Sequence, residues 1–412
     1  SEVSGESDAD GNASGDAVVL YTAPTPAATV AAALAAAATI EHAFLVDRVG
    51  ALADDAMAGR DNNTAGGLAA RAWLVADLKG HGLAPALEAG FSQVFDVGGV
   101  VGANLCARVV GADPALRHEH LVIGAHYDHL GRADAPGSAC KAKAGATDVI
   151  CNGAIDNAAG VAVAIAVTRA LAQSGKLRRS LLLCLFDAEE DGIVGSKHFV
   201  ANAPLVPLAD IVAMFSVDNV GSQIVPGEAS SFATDAEFSD GLRAAVHATN
   251  AATGYQTWPV SSFFVGQDGG GRSDHQPFRE AGVPVLFLGS GSSAVYHTPA
   301  DEPGAVDFTK LLAIARHTAV LVAMVANAEI RPTMTATPLP HLDDAYALRS
   351  LADRVLADPA ALGLNDGQAG LVKTWRDELS AWIDKPPETA AQWQSYHNLV
   401  KAIIKAVFTF AG

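Results

Sequence analysis

Five short stretches, far apart along the chain, each place a side chain able to bind a cation or move a proton at or just beyond an apolar run. They carry His126 and Asp128 in Gly-Ala-His-Tyr-Asp-His-Leu-Gly, Asp156 in Gly-Ala-Ile-Asp-Asn-Ala-Ala-Gly, and Glu189 and Glu190 after the six apolar residues Leu181 to Phe186. Asp218 follows Phe215-Ser216-Val217, and His297 lies in Ala-Val-Tyr-His-Thr-Pro-Ala-Asp. Residues two apart on a strand share a face, so His126 and Asp128 point together, and a metal-bound imidazole passes its other N–H to such a carboxylate. By the same alternation His129 points away and is expected to be structural, as are His118 and His120. Asp156, opening a helix, is placed either to cap it or to bridge two cations with its two oxygens. Glu189 and Glu190 diverge, so one can hold a metal while the other reaches the water on it, a division into ligand and general base.

Besides the base and Asp128, these residues supply two imidazoles, His126 and His297, and three carboxylates, Asp156, Glu190 and Asp218. Two cations sharing one carboxylate would each keep one imidazole and one further carboxylate. Mixed nitrogen and oxygen ligation with open positions suits catalytic Zn²⁺, with Co²⁺ or Mn²⁺ as alternatives. The formal charge of −18 over 412 residues argues against nucleic acid as a partner, because phosphate recognition needs clustered Lys and Arg.

The elements that must position these groups are legible in outline. Half the residues are hydrophobic, enough for a large core. Helical periodicity runs from Ala27 to about Met57 and from Ala65 to Lys79; strands are expected at Phe91 to Val97, Val100 to Val110, Leu121 to Ala125, Ser180 to Phe186, Ile211 to Val217 and Val283 to Leu288. Helices are expected at Asn157 to Leu171, Gly195 to Ala203, Phe238 to Thr249, from Ser273, and at Phe308 to Ala326. This alternation predicts an α/β fold with a mostly parallel central sheet and helices on both faces. A flexible tail over residues 1–16, a catalytic domain over 17–330, a Pro/Thr linker over 331–342 and a C-terminal helical extension over 343–412 complete the expected division. No uninterrupted apolar run reaches the roughly 18 residues of a membrane span, so none is expected. Cys140 and Cys151 flank a polar loop and are expected to close it as a disulfide, implying an oxidising, extracytoplasmic setting. Cys106 and Cys184, inside apolar runs, are expected to be inert buried thiols.

The motifs above, with Ser-Asp-His-Gln-Pro-Phe from Ser273 and an upstream Gly59-Arg60, resemble the M28 family of zinc peptidases over roughly Asp47 to Ala326. The resemblance implies two Zn²⁺ ions, His126 and Asp218 on one, Glu190 and His297 on the other, with Asp156 bridging. It implies Glu189 as general base, Asp128 as the carboxylate partner of His126, and Tyr296 and Arg272 as groups that polarise the substrate carbonyl. Peptides are then the expected substrates, with an aminopeptidase favoured over a carboxypeptidase or dipeptidase; an inactive receptor-like protein would be expected to have lost ligands. Ile155 stands where the family more often has Asp, which leaves Asp156 itself intact.

Overall fold

The computed structural model describes residues 26–201, 205–262, 273–291 and 293–410. Its strands are β1 (Ala84–Pro85), β2 (Ser92–Val97), β3 (Val100–Val109), β4 (His120–His126), β5 (Ser180–Phe186), β6 (Ile211–Val217), β7 (Ser231–Thr234), β8 (Thr257–Pro259) and β9 (Val285–Gly289). They form one mixed sheet in the order β1-β3-β5-β4-β6-β9-β7-β8, with β2 paired to β3. The run β5-β4-β6-β9 is parallel, while β3 joins β5, and β7 joins β9, antiparallel. The expected parallel arrangement is thus found at the centre, and antiparallel strands flank it. β7 and β8, four and three residues long, carry too little pattern to be read from sequence.

Every residue of β4, β5 and β6 is buried, as strands covered on both faces must be. Alternation sorts their side chains: Leu121, Ile123, Leu181, Leu183 and Leu185 join one core cluster, whereas Val122, Leu182, Cys184 and Phe186 join another. The first face is covered by α1 (Ala27–Ala38), α2 (His42–Leu52), α4 (Ala159–Ser174), α6 (Asp240–Thr253) and α8 (Phe308–Asn327). The second is covered by α5 (Val194–Ala201) and α7 (His275–Glu280), through Phe199 and Phe278. The remaining helix of this part, α3 (Ala65–Gly80), adds Ala70, Leu74 and Leu78 to the first cluster. The helical pattern expected from Ala27 to Met57 breaks at Thr39, whose hydroxyl donates back to Ala36 O at 2.7 Å.

Register brings the functional strand ends to one edge. His126 pairs with Phe186 and Gly124 with Ser216, so the residues after β5 and β6 emerge beside the end of β4. Such a carboxyl-terminal edge is where open α/β sheets hold their ligands.

Two sequence expectations need correction. Cys106 and Cys184 are not free thiols: they face each other across the antiparallel β3–β5 pair, Cα atoms 4.3 Å apart, and are bonded. The expected Cys140–Cys151 bridge is present, with Cα atoms 5.9 Å apart. Two helical segments, Ala154–Ser174 and Phe308–Asn327, are long and apolar enough to cross a membrane by length and composition. Counting only uninterrupted runs overlooked them, because scattered Thr, Asn and Arg do not offset their apolar mean; both pack largely inside the protein, 94% and 72% buried.

Beyond α8 come α9 (Asp343–Ala357), α10 (Asp366–Asp384) and α11 (Ala390–Phe410), with a core of their own around Leu348, Leu379, Tyr396 and Val400. Asp344 ties this layer to the sheet by accepting from the backbone N–H and hydroxyl of Ser261 at 2.8 and 2.6 Å.

Candidate metal centre

The turns that carry the site residues are held by hydrogen bonds between distant parts of the chain. The turn after β5 starts at Asp187, whose buried carboxylate accepts from Ala103 N–H at 2.9 Å, Tyr127 O–H at 2.6 Å, Asn62 Nδ2 at 3.0 Å and Arg71 Nη2 at 2.7 Å. The next residues, Glu189 and Glu190, donate their backbone N–H groups to the two oxygens of Asp128 at 3.1 and 3.2 Å. Asp156 is flanked by a residue that relieves it of capping. Asn157 Oδ1 accepts from Gly160 N–H in the first turn of α4, and Asn157 Nδ2 donates to Val217 O, so the Asp156 carboxylate is free for the site. Asp301 in turn accepts from the N–H groups of Ile155 and Asp156 at 2.8 and 3.1 Å. The fully buried Arg60 guanidinium donates to the carbonyls of Tyr127, Leu52, Asn152 and Gly153, pinning the ends of the loop between β4 and Asp156. Left-handed backbone at Ala188 (φ 56°), Asn219 (φ 52°) and His297 (φ 60°) adds strain at three of the turns.

These turns converge. His126 Nε2 lies 3.2 Å from Asp156 Oδ1 and 3.4 Å from Asp218 Oδ1. His297 Nε2 lies 3.1 Å from Asp156 Oδ2 and 3.5 Å from Glu190 Oε2. Each oxygen of Asp156 therefore faces a different imidazole and a different second carboxylate. Donor atoms of His126, Asp156 and Asp218, of His126, Glu189 and Glu190, and of His129, Asp156 and Glu190 lie within 4.8 Å of one another in each group. Two ligands on a tetrahedral Zn²⁺ at 2.0–2.2 Å sit about 3.4 Å apart, the spacing seen between these atoms.

Charge balance points the same way. Burial pushes the carboxyls of Glu189 and Glu190 well above the usual range, and burial raises Asp274, facing the same turn, to about 7. Burial opposes a charge on His126, yet Asp218 and Glu189 outweigh it and raise the imidazole well above its ordinary value. Against these acids the fully buried Arg60 guanidinium is committed to four carbonyls. His297 Nε2 is buried without a hydrogen-bond partner among the described residues. A cluster so rich in carboxylate, with imidazole nitrogens aimed into it and little positive charge, fits divalent cations.

Of the residues singled out from sequence, His126, Asp156, Glu189, Glu190, Asp218 and His297 come together. Asp128 differs in detail: its carboxylate stands 3.7 Å from His126 Nδ1, which is nearer the Asp128 backbone oxygen at 3.2 Å, and its main contacts are the two glutamate N–H groups. Tyr296 stacks on His297 with ring centroids 3.7 Å apart. Arg272 lies outside the described residues. His129 is the clear miss. Strand alternation turned it away from the site, but β4 ends at His126, so that alternation does not extend to it; its Nδ1 is 2.8 Å from Glu190 Oε1. Asp301, four residues after His297, and Arg60 lie within the motifs, but only their long-range partners reveal a role for them.

Comparison with known proteins agrees with this geometry. The sequence profile of peptidase family M28 matches residues 104–322. Leupeptin-inactivating enzyme 1 of Streptomyces exfoliatus is 32% identical over 207 residues, covering 50% of this chain and 40% of that protein, so the chain spans less than half the length of this curated relative. Among solved structures, LapB of Legionella pneumophila superposes with a TM-score of 0.56 at 16% identity over 74% of this chain and 77% of its own. Porphyromonas gingivalis glutaminyl cyclase does so with a TM-score of 0.55 at 21% identity over 69% of this chain and 98% of its own. At these identities the structural matches speak for the fold alone, whereas the profile covers more than half the sequence, including His126, Asp156, Glu189, Glu190, Asp218 and His297: the chain belongs to peptidase family M28.

Proposed function

We propose that the protein is a di-zinc aminopeptidase, in which His126 and Asp218 hold one Zn²⁺, His297 and Glu190 the other, and Asp156 both. The observation that carries this reading is the division of Asp156, with Oδ1 3.2 Å from one imidazole and Oδ2 3.1 Å from the other. Zinc, when bound, supplies Lewis acidity toward the substrate carbonyl and makes water a nucleophile at neutral pH.

The chain's own residues do the rest. Glu189 accepts a proton from the attacking water as its oxygen bonds to the peptide carbonyl carbon. The C–N bond then breaks, and Glu189 returns that proton to the leaving amine. Tyr296, stacked on His297, and Arg272 are the candidates for donating to the carbonyl oxygen, and Asp128 fixes the turn that carries Glu189. Recognition of a substrate N-terminus is favoured because the centre is lined by carboxylates, which attract an ammonium, whereas a free substrate carboxylate would need cations in the pocket. Residues 17–330 are proposed as the catalytic unit, with the helices after residue 342 as an accessory layer. The two disulfides support an extracytoplasmic setting.

The test is Glu189→Ala against unblocked aminoacyl p-nitroanilides, with zinc measured after dialysis. The variant is expected to keep two zinc ions per chain while kcat falls by about 10²–10⁴. A near-normal rate with both ions bound would remove Glu189 from the mechanism. Faster hydrolysis of N-blocked peptides than of unblocked ones would reject the aminopeptidase reading.

A further inference from the structure

We infer that His129 is a positioning residue for Glu190: its Nδ1–H donates to Oε1 and thereby leaves Oε2 as the oxygen turned toward His297 and the shared Asp156. The inference rests on the two-cation reading above.

The distances separate this imidazole from the other two. His126 and His297 lie 3.1 to 3.5 Å from their neighbouring carboxylate oxygens, the span of two ligands across one zinc. His129 Nδ1 lies 2.8 Å from Glu190 Oε1, too close for that span and in the range of an N–H···O bond to a carboxylate, and its distance to Asp156 Oδ2 is 3.9 Å. The ring is fully buried, with its edge against the ring of His297 at 5.8 Å between centroids. It has little freedom to turn. Its backbone N–H is bonded to Arg60 O, and Gly153, at φ 59°, abuts its ring so closely that a Cβ there would collide with it. Its Nε2 has no hydrogen-bond partner among the described residues, which fits a ring whose one proton sits on Nδ1. The two oxygens of Glu190 are thereby distinguished: Oε1 is occupied by His129, and Oε2 faces His297 Nε2. Fixing a ligating carboxylate in this way is the kind of support whose loss typically weakens metal binding 10–100-fold.

The experiment compares wild type, His129→Leu and His129→Asn. Leucine keeps much of the ring's bulk but not the donor, whereas the asparagine amide places an N–H close to the position of Nδ1. Zinc dissociation constants are measured by chelator competition, the visible spectrum of the Co²⁺-substituted protein is recorded, and melting of the apo protein checks folding. His129→Leu is expected to weaken one of two zinc ions about 10–100-fold and to change the Co²⁺ spectrum, and His129→Asn to restore affinity close to wild type. Should the leucine variant not fold, His129→Gln takes its place, since its amide lies one methylene further out and does not reproduce the Nδ1 position. The inference fails if wild type binds two ions and the leucine variant matches it, or if asparagine binds as poorly as leucine, which would make the ring a packing element. It also fails if X-ray absorption counts a third imidazole among the zinc ligands. A wild-type chain that binds fewer than two ions at this cluster overturns the two-cation reading itself, a separate result.

Discussion

Histidine serves three distinct purposes in this chain, and burial together with partners decides which. His126 and His297 are drawn toward carboxylates, His129 braces one, and His317 sits in α8 away from the others, 3% exposed, with Thr253 Oγ1 3.0 Å from its Nδ1. Burial lowers the His317 imidazole to about 4. Its folded value then lies below the ordinary 6.5 of an unfolded chain. Between pH 6.5 and 4 the unfolded chain takes up a proton that the native protein refuses, so the stability tied to this group is complete above 6.5 and lost as the pH falls toward 4. One such group contributes a slope of about 1.4 kcal/mol per pH unit within that window. Urea unfolding of the zinc-loaded protein at pH 7.5 and pH 5 is expected to show a larger loss for wild type than for His317→Gln; equal losses would contradict this assignment.

At the scale of elements, the centre depends on α4 lying close against the end of β6. Gly160 makes that approach possible, because a Cβ at this position would run into Asn157 Oδ1 and Val217 O. Those are the groups that fix Asn157 and, one residue earlier, Asp156. Gly160→Ala is expected to cost about 1–3 kcal/mol through overpacking and to weaken zinc binding as Asp156 shifts. Calorimetry with and without zinc checks both effects, and a variant with unchanged melting and affinity would show that the contact is not restrictive. The loop between β4 and Asp156 illustrates a different device: a disulfide near one end and the Arg60 guanidinium across both ends hold a long polar connection in place.

Across the whole molecule, the C-terminal helices meet the rest of the protein around three buried acids, Glu228, Asp343 and Asp344. Asp344 saturates the Ser261 N–H and hydroxyl, Arg354 pairs with Glu228 at 3.1 Å, and Arg243 and His247 pair with Asp343. Asp344→Ala would leave the buried Ser261 N–H without an acceptor and its hydroxyl with His341 Nε2 at 3.4 Å, a cost of about 1–3 kcal/mol for the unpaired donor. The expected result is a lower urea midpoint with zinc stoichiometry unchanged. An unaltered midpoint would mean that the layer is held by its apolar contacts, Ala347 against Phe232 and Val260, and not by this network.

What the sequence determined by itself was the longer strands, the central ones above all, and the metal-binding types of side chain near their ends. Fully buried strands have to be written as unbroken apolar runs, and a ligand placed just after such a run stands out against it; β4, β5 and β6 and the residues His126, Glu189, Glu190 and Asp218 were legible for that reason. The tertiary structure alone decided which groups meet. That Cys106 faces Cys184 follows from the β3–β5 register, and that His129 reaches Glu190 follows from where β4 stops. Arg60 and Asp301 acquire a purpose chiefly through partners 67 to 146 residues away. Local periodicity records which face a side chain takes within its own element, whereas a pairing between distant elements is fixed by packing, register and the burial of charge, none of which leaves a pattern along the chain.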